Sequence, residues 1–133
     1  MAALALRTHH GLTFGDKSTR CRMTSQNTTI SSSPRPRQVE VAIAGVGFGG
    51  LCMAVKLKMA GIDDFVILEK ASEVGGAWRD NTYPGAECDV QSHMYSYSFE
   101  TKPDWTKRYA PWDEIQQYIL DVTKKYGIRP HIH

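Results

Sequence analysis

The chain has 133 residues, 41% of them hydrophobic and 23% charged, with a formal net charge of +2. That length accommodates one domain. The charge is uneven: residues 1–38 carry six Arg or Lys against the single acid Asp16, whereas residues 39–133 carry ten basic and thirteen acidic groups. There is neither a basic stripe with interleaved aromatics nor an apolar run of membrane-spanning length, so the sequence argues against nucleic-acid binding and against a membrane span.

Residues 1–38 read as a disordered N-terminal extension. Thr24 to Gln38 consists largely of Ser, Thr, Asn, Gln and Pro and closes on Pro34-Arg-Pro-Arg, a composition that cannot build a core. An acid-poor leader containing Arg and Ser also fits an organelle transit peptide, and Met23 is an alternative start. Cys21, Cys52 and Cys88 are odd in number and widely spaced, so no disulfide framework is expected and a reducing, cytoplasmic compartment fits best. Organellar localisation through the extension is the alternative.

The informative segment follows. Val39 to Ala44 alternates and is rich in β-branched residues, as a buried strand is. Gly45-Val-Gly-Phe-Gly-Gly then forms a GxGxxG turn that opens a helix. Gly45 permits the sharp turn, Gly47 lets the backbone approach a pyrophosphate, and Gly50 lets helix and strand pack closely. The helix N-terminus presents unpaired N–H groups and the positive dipole end to the anion. Residues 49–60 form the helix, with Leu51, Val55 and Met59 at four-residue spacing, Ala54 toward the sheet and Gly61 at the C-terminus. Phe65-Val-Ile-Leu reads as a short, fully apolar strand. Glu69 ends it, 24 positions after Gly45, near the spacing of a carboxylate that accepts from an adenosine ribose.

Beyond Glu69, the Gly75-Gly76 pair brings backbone close to something flat or bulky, with the large amphipathic Trp78 beside it. Asn81-Thr-Tyr-Pro-Gly is a turn signal. Cys88-Asp-Val and Tyr95-Ser-Tyr-Ser-Phe continue as a long aromatic and polar loop, of a length that is unusual without a function. A last helix begins near Pro111, favoured by Asp113 and Glu114, and buries Ile115, Tyr118, Ile119, Val122 and Tyr126 before Gly127 ends it. Residues 128–133 read as the start of another strand. Cys88 with His93, and His131 with His133, lack the companions a metal site needs, so no metal is expected.

Taken together, GxGxxG, Glu69, Gly75-Gly-Ala-Trp, Asn81-Thr-Tyr-Pro-Gly-Ala-Glu-Cys-Asp and Tyr95-Ser-Tyr-Ser-Phe closely resemble the N-terminal FAD-binding part of Baeyer–Villiger-type flavin monooxygenases, within the flavin-containing monooxygenase group. The likeness covers about residues 39–132. It implies an α/β fold: a Rossmann-like FAD-binding domain, the βαβ start of a three-layer parallel sheet, incomplete over residues 39–133. It also implies FAD and NADPH as cofactors and a small-molecule substrate, a ketone or heteroatom compound, oxygenated through a flavin peroxide.

By the same resemblance, Gly45, Gly47, Phe48, Gly49 and Gly50 line the FAD pyrophosphate. Glu69, with Lys70 beside it, takes the ribose, and Gly76, Ala77 and Trp78 follow the flavin's middle and ring. Tyr95 is a further FAD contact. Asp89 corresponds to an active-site aspartate that orients an arginine from much later in the sequence. Trp78 reads equally as core, and Asp89 as a turn or cap residue. Ala77 replaces a larger residue common in the family, and Glu87 sets a second negative charge near Asp89. The 133 residues contain no second GxGxxG for NADPH and no F-x-G-x-x-x-H fingerprint. The expectation is therefore an N-terminal fragment inactive alone. A non-catalytic FAD- or adenine-dinucleotide-binding module, or a truncated pseudogene product, is the alternative. An NAD-linked dehydrogenase domain is disfavoured by GGxW and the YPG turn.

Overall fold

The computed structural model describes residues 5–7 and 38–133. The readings made for residues 1–4 and 8–37, among them the disordered extension, the transit peptide and a start at Met23, lie outside the described residues. In chain order the elements are β1 (Ala5–Arg7), β2 (Val41–Ala44), α1 (Phe48–Met59), β3 (Phe65–Leu68), α2 (Ala77–Asp80) and α3 (Trp112–Lys125). Single 3-10 turns occupy Ser92–Met94 and Arg129–His131.

β2 and β3 run parallel, with Val41 opposite Phe65 and Ala44 opposite Leu68. Parallel neighbours cannot be joined by a tight turn. α1 supplies the crossover, so the expected βαβ unit is present. Ile43 and Ile67 lie side by side in the sheet and share one core with Leu51, Ala54 and Val55 of α1 and Ile115, Ile119 and Val122 of α3. Met59, expected on the same stripe, is instead 60% exposed. A 12-residue helix is about 18 Å long, whereas a four-residue strand spans only about 13 Å, so the last turn of α1 overhangs the sheet. The helix closes as the sequence suggests: Gly61 adopts φ +76°, its N–H bonds to the Lys58 carbonyl, and Ile62 N–H reaches back to Leu57 at 2.9 Å.

Both sheet edges depart from expectation. β1 pairs antiparallel with the free edge of β2, Leu6 opposite Ala42, so three residues assigned to the N-terminal extension join the sheet. An unpaired edge is a template for any extended backbone that reaches it. On the other side, the strand expected over residues 128–133 shrinks to its last two residues. Pro130 has no N–H to give a ladder, and residues 129–131 turn instead. Ile132 then pairs in parallel with Ile67, His133 N–H donates to the Ile67 carbonyl, and Glu69 N–H donates to the His133 carbonyl, both at 2.9 Å.

β3 is apolar throughout but not buried throughout. Phe65 and Ile67 are fully buried, whereas Leu68, at the carboxyl end, is 57% exposed. α3 starts after Pro111 and buries Ile115, Tyr118, Ile119 and Val122, with Tyr126 half-buried and Gly127 at φ +60° ending it. Among the described residues no helix is long and apolar enough to cross a membrane.

A Cβ placed on Gly50 would lie 2.0 Å from the Gly45 carbonyl oxygen, whereas one on Gly47 meets nothing closer than the Gly76 Cα at 3.6 Å. Gly50→Ala is therefore expected to lower stability by about 3 kcal/mol, the upper end of overpacking costs, because the obstacle is backbone and cannot rotate away. Gly47→Ala is expected to unfold at nearly the wild-type urea midpoint. Equal midpoints for the two variants would contradict this packing.

Candidate dinucleotide-binding cleft

The carboxyl ends of β2 and β3 open onto the N-terminus of α1. Gly45, at φ +80°, turns the chain out of β2 while its N–H stays bonded to the Leu68 carbonyl at 2.8 Å. Val46 is buried, and Gly47 precedes the helix with no side chain to cap it. The first turn of α1 contains no acidic residue and receives no side-chain cap at its N-cap position. First-turn N–H groups of a helix lack intrahelical partners, and the positive dipole end is left without a counter-charge from the first turn. The absence of side chains at Gly47 and Gly49 leaves backbone exposed to the cleft at this end, while Gly50 lets the helix rest on the Gly45 carbonyl.

Glu69 stands beside that turn. Its Oε2 accepts from Val46 N–H at 2.9 Å, and its Oε1 accepts from Ala71 N–H at 3.0 Å and lies 3.5 Å from Arg79 Nη1. Its side chain is only 6% exposed. Burial pushes the carboxyl up, but the two backbone donors and the guanidinium outweigh that, so its pKa falls below the usual value.

The opposite wall is the segment 73–80, where the sequence suggested only close backbone. Gly75 and Gly76 adopt φ +129° and +57°, and Gly75 N–H donates to the Val46 carbonyl at 3.1 Å. A Cβ on Gly76 would stand 3.0 Å from the Gly47 Cα, so this strap crosses the turn after β2 glycine against glycine. Gln116 of α3 anchors the strap from behind, its Nε2 donating to the Val74 carbonyl at 2.8 Å. The Glu73 carboxylate pairs with Arg129.

α2 follows the strap and carries Trp78. The indole Nε1–H donates to Tyr95 Oη at 3.0 Å, with the rings edge-on at 5.5 Å. Burial raises the Tyr95 pKa. Behind them the Phe48 ring contacts Tyr95 and Tyr97 at 4.9 and 4.3 Å, and Tyr97 Oη donates to the Phe48 carbonyl at 2.6 Å. Tyr97 N–H in turn donates to Tyr118 Oη at 2.9 Å. The aromatic loop thus braces the start of α1 against α3.

These walls enclose a cleft of about 600 Å³, within the range of small-molecule sites. It gathers Gly45, Gly47, Phe48, Gly49, Gly50, Glu69, Lys70, Gly76, Ala77, Trp78 and Tyr95. Asp89 is not part of it: Cys88 takes the buried position and Asp89 is exposed. Trp78 serves both of its readings, since it packs on the core and lines the cleft. Ala44, Leu68, Gly75, Arg79, Asp80 and Asn81 also line the cleft and were not assigned to it from the sequence. For Arg79 and Asp80 the available signal was a charge pair directly behind GGAW.

The family model for the NAD(P)-binding Rossmann-like domain matches residues 43–110. The chain is 51% identical over 94 residues to a Baeyer–Villiger monooxygenase of Streptomyces coelicolor, covering 71% of this chain and 18% of that protein. It is 47% identical over 108 residues to a Baeyer–Villiger monooxygenase of Pseudomonas aeruginosa, covering 79% of this chain and 20% of that one. An FAD-binding monooxygenase of Aspergillus terreus is 49% identical over 100 residues, covering 73% and 18%. Among solved structures, a steroid monooxygenase bound to NADP superposes with a TM-score of 0.64 at 37% identity, and a closed cyclohexanone monooxygenase with 0.62 at 36%. Each of these structural matches covers 68% of this chain and 18% of the other. The chain therefore spans about a fifth of the length of the relatives it matches. With a parallel βαβ unit, a glycine turn opening α1 and Glu69 closing β3, the chain belongs to the NAD(P)-binding Rossmann-like domain family.

Proposed function

We propose that these residues hold the adenosine-diphosphate half of FAD and form the N-terminal part of a Baeyer–Villiger-type flavin monooxygenase that uses NADPH. The observation that carries this reading is one cleft containing both an uncapped, glycine-floored helix N-terminus and the buried Glu69 carboxylate. The first is suited to a pyrophosphate and the second to a ribose hydroxyl. FAD fits the cleft's bare backbone, because a side chain on Gly47 or Gly76 would project into the narrow gap between turn and strap.

In this reading Gly45, Gly47, Phe48, Gly49 and Gly50 surround the pyrophosphate, and Glu69 and Lys70 attend the ribose. Gly76, Ala77, Trp78 and Tyr95 border the middle of the cofactor and its ring. Asp89, exposed in this structure, belongs to the ring end of a site completed by residues of a longer protein. When bound, the flavin supplies the redox chemistry; the chain's part is to bind, orient and exclude water. The relatives named as Baeyer–Villiger and FAD-binding monooxygenases, and the NADP-bound steroid enzyme, support the assignment of both cofactors. The substrate of the longer protein is a small ketone or heteroatom compound. A reducing, cytoplasmic compartment suits the free thiols of Cys52 and Cys88.

Titration of the 133-residue chain with FAD, ADP and NAD, read by calorimetry, tests the proposal. FAD and ADP are expected to bind. Tight NAD binding without FAD binding would replace this reading with that of an NAD-linked dehydrogenase domain. Gly47→Val is expected to abolish FAD and ADP binding, because its methyl groups fill the gap beneath Gly76, and unchanged affinity in a folded variant would sink the phosphate-turn assignment. Glu69→Ala is expected to weaken ADP binding by about 1–3 kcal/mol, the cost of removing a charged hydrogen-bond partner. The Glu69 pKa is depressed in the folded chain, so its contribution is complete above the ordinary carboxylate range and is lost as pH falls through the lowered value. ADP affinity measured from neutral pH to about pH 5 should accordingly owe no change to Glu69.

A further inference from the structure

α2 is a single helical turn with no buried side chain, yet it carries the cleft wall. One turn of helix does not hold itself in water. Trp78 holds it on one side, through Tyr95 and the core, and Arg79, whose side chain is 17% exposed, holds it on the side of Glu69. Arg79 Nε and Nη2 donate to the two oxygens of Asp80 at 2.8 and 3.0 Å, a fork on the next residue. Its Nη1 reaches the other way, to the Glu73 carbonyl and to Glu69 Oε1 at 3.5 Å. One guanidinium thus joins α2, the loop leading into the Gly75–Gly76 strap, and the carboxylate at the end of β3.

The consequence for Glu69 is geometric. A carboxylate offers about four lone-pair directions, and Val46 N–H, Ala71 N–H and Arg79 address three of them. One acceptor direction is left over for a ligand. Val46 N–H and Ala71 N–H each hold one oxygen and so set the plane of the carboxylate, while Arg79 adds a positive charge beside Oε1 and links that oxygen to the strap. We propose that Arg79 is the positioning residue for the ribose end of the cleft, tethering α2 and the glycine strap to the Glu69 carboxylate. This rests on the dinucleotide reading above and goes beyond it, because Arg79, which itself lines the cleft, is assigned a role exerted through Glu69 and the strap. Lysine cannot substitute fully: an ammonium is a point charge without the planar fork that spans Asp80, Glu73 and Glu69 together.

The test is calorimetric titration of ADP into the 133-residue wild type, Arg79→Met, Arg79→Lys, Glu69→Gln and the Arg79→Met/Glu69→Gln double variant, with melting temperatures alongside. Arg79→Met is expected to weaken ADP binding about tenfold or more, in the range typical of charge-assisted hydrogen bonds. Arg79→Lys should fall between Arg79→Met and wild type. In the Glu69→Gln background, Arg79→Met should cost little more, because the charged anchor of the tether is already gone. Additive losses, or Arg79→Lys binding ADP as tightly as wild type, would overturn the inference. If Arg79→Met does not fold, Arg79→Lys decides alone: weaker ADP binding at an unchanged melting temperature supports the role, and wild-type affinity refutes it. A wild type that binds neither ADP nor FAD removes the dinucleotide reading and this inference together. ADP binding indifferent to Arg79 removes only the latter.

Discussion

The Gly45 carbonyl oxygen sits where a side chain on residue 50 would begin, 2.0 Å from that Cβ position. α1 can therefore rest directly on the turn that leaves β2, backbone against backbone. This contact sets the direction of the helix and places its N-terminus at the carboxyl end of the sheet. Everything chemical about the cleft follows from it. The unpaired N–H groups, the positive dipole end and the approach of Gly76 to Gly47 all require the helix to start where it does.

The rest of the cleft is held by polar anchors in place of a hydrophobic wall. Residues 69–80 form one turn of helix and two glycines with positive φ, a segment with little core of its own beyond Val74. Gln116, Arg79 and Arg129 fix it by hydrogen bonds and ion pairs to Val74, Glu69, Glu73 and Asp80. Such contacts are directional, so they hold backbone at a defined distance from the glycine turn after β2 without filling the space between. The aromatic group of Phe48, Tyr95, Tyr97 and Tyr118 does the opposite task, closing the back of the site with bulk and terminating each hydroxyl on a partner.

The sheet edges show how local pairing answers a small sheet. In doubly wound folds the first strand lies between the second and the fourth. Here β2 has β3 on one side and β1 on the other, antiparallel, along the edge by which such a sheet extends. Among the described residues, the outer edge of β3 receives only Ile132 and His133. Each of these pairings satisfies backbone groups that would otherwise be left as open donors and acceptors.

The sequence by itself determined the parallel βαβ unit, the glycine turn, the carboxylate after β3 and the apolar stripe of α3, because each is written in local spacing: period two, period 3.6, or a glycine that alone tolerates a turn. Eleven of the twelve residues that the sequence set against the cofactor line one cleft, and the exception, Asp89, is exposed outside it. Tertiary structure alone decided the rest. That Arg79 reaches Glu69 across ten residues, that Gln116 hangs over Gly75, that β1 completes the sheet and that Met59 overhangs it are all matters of which distant groups meet. Spacing along a chain encodes the face a residue presents, but the partner it meets there is set only when the elements pack.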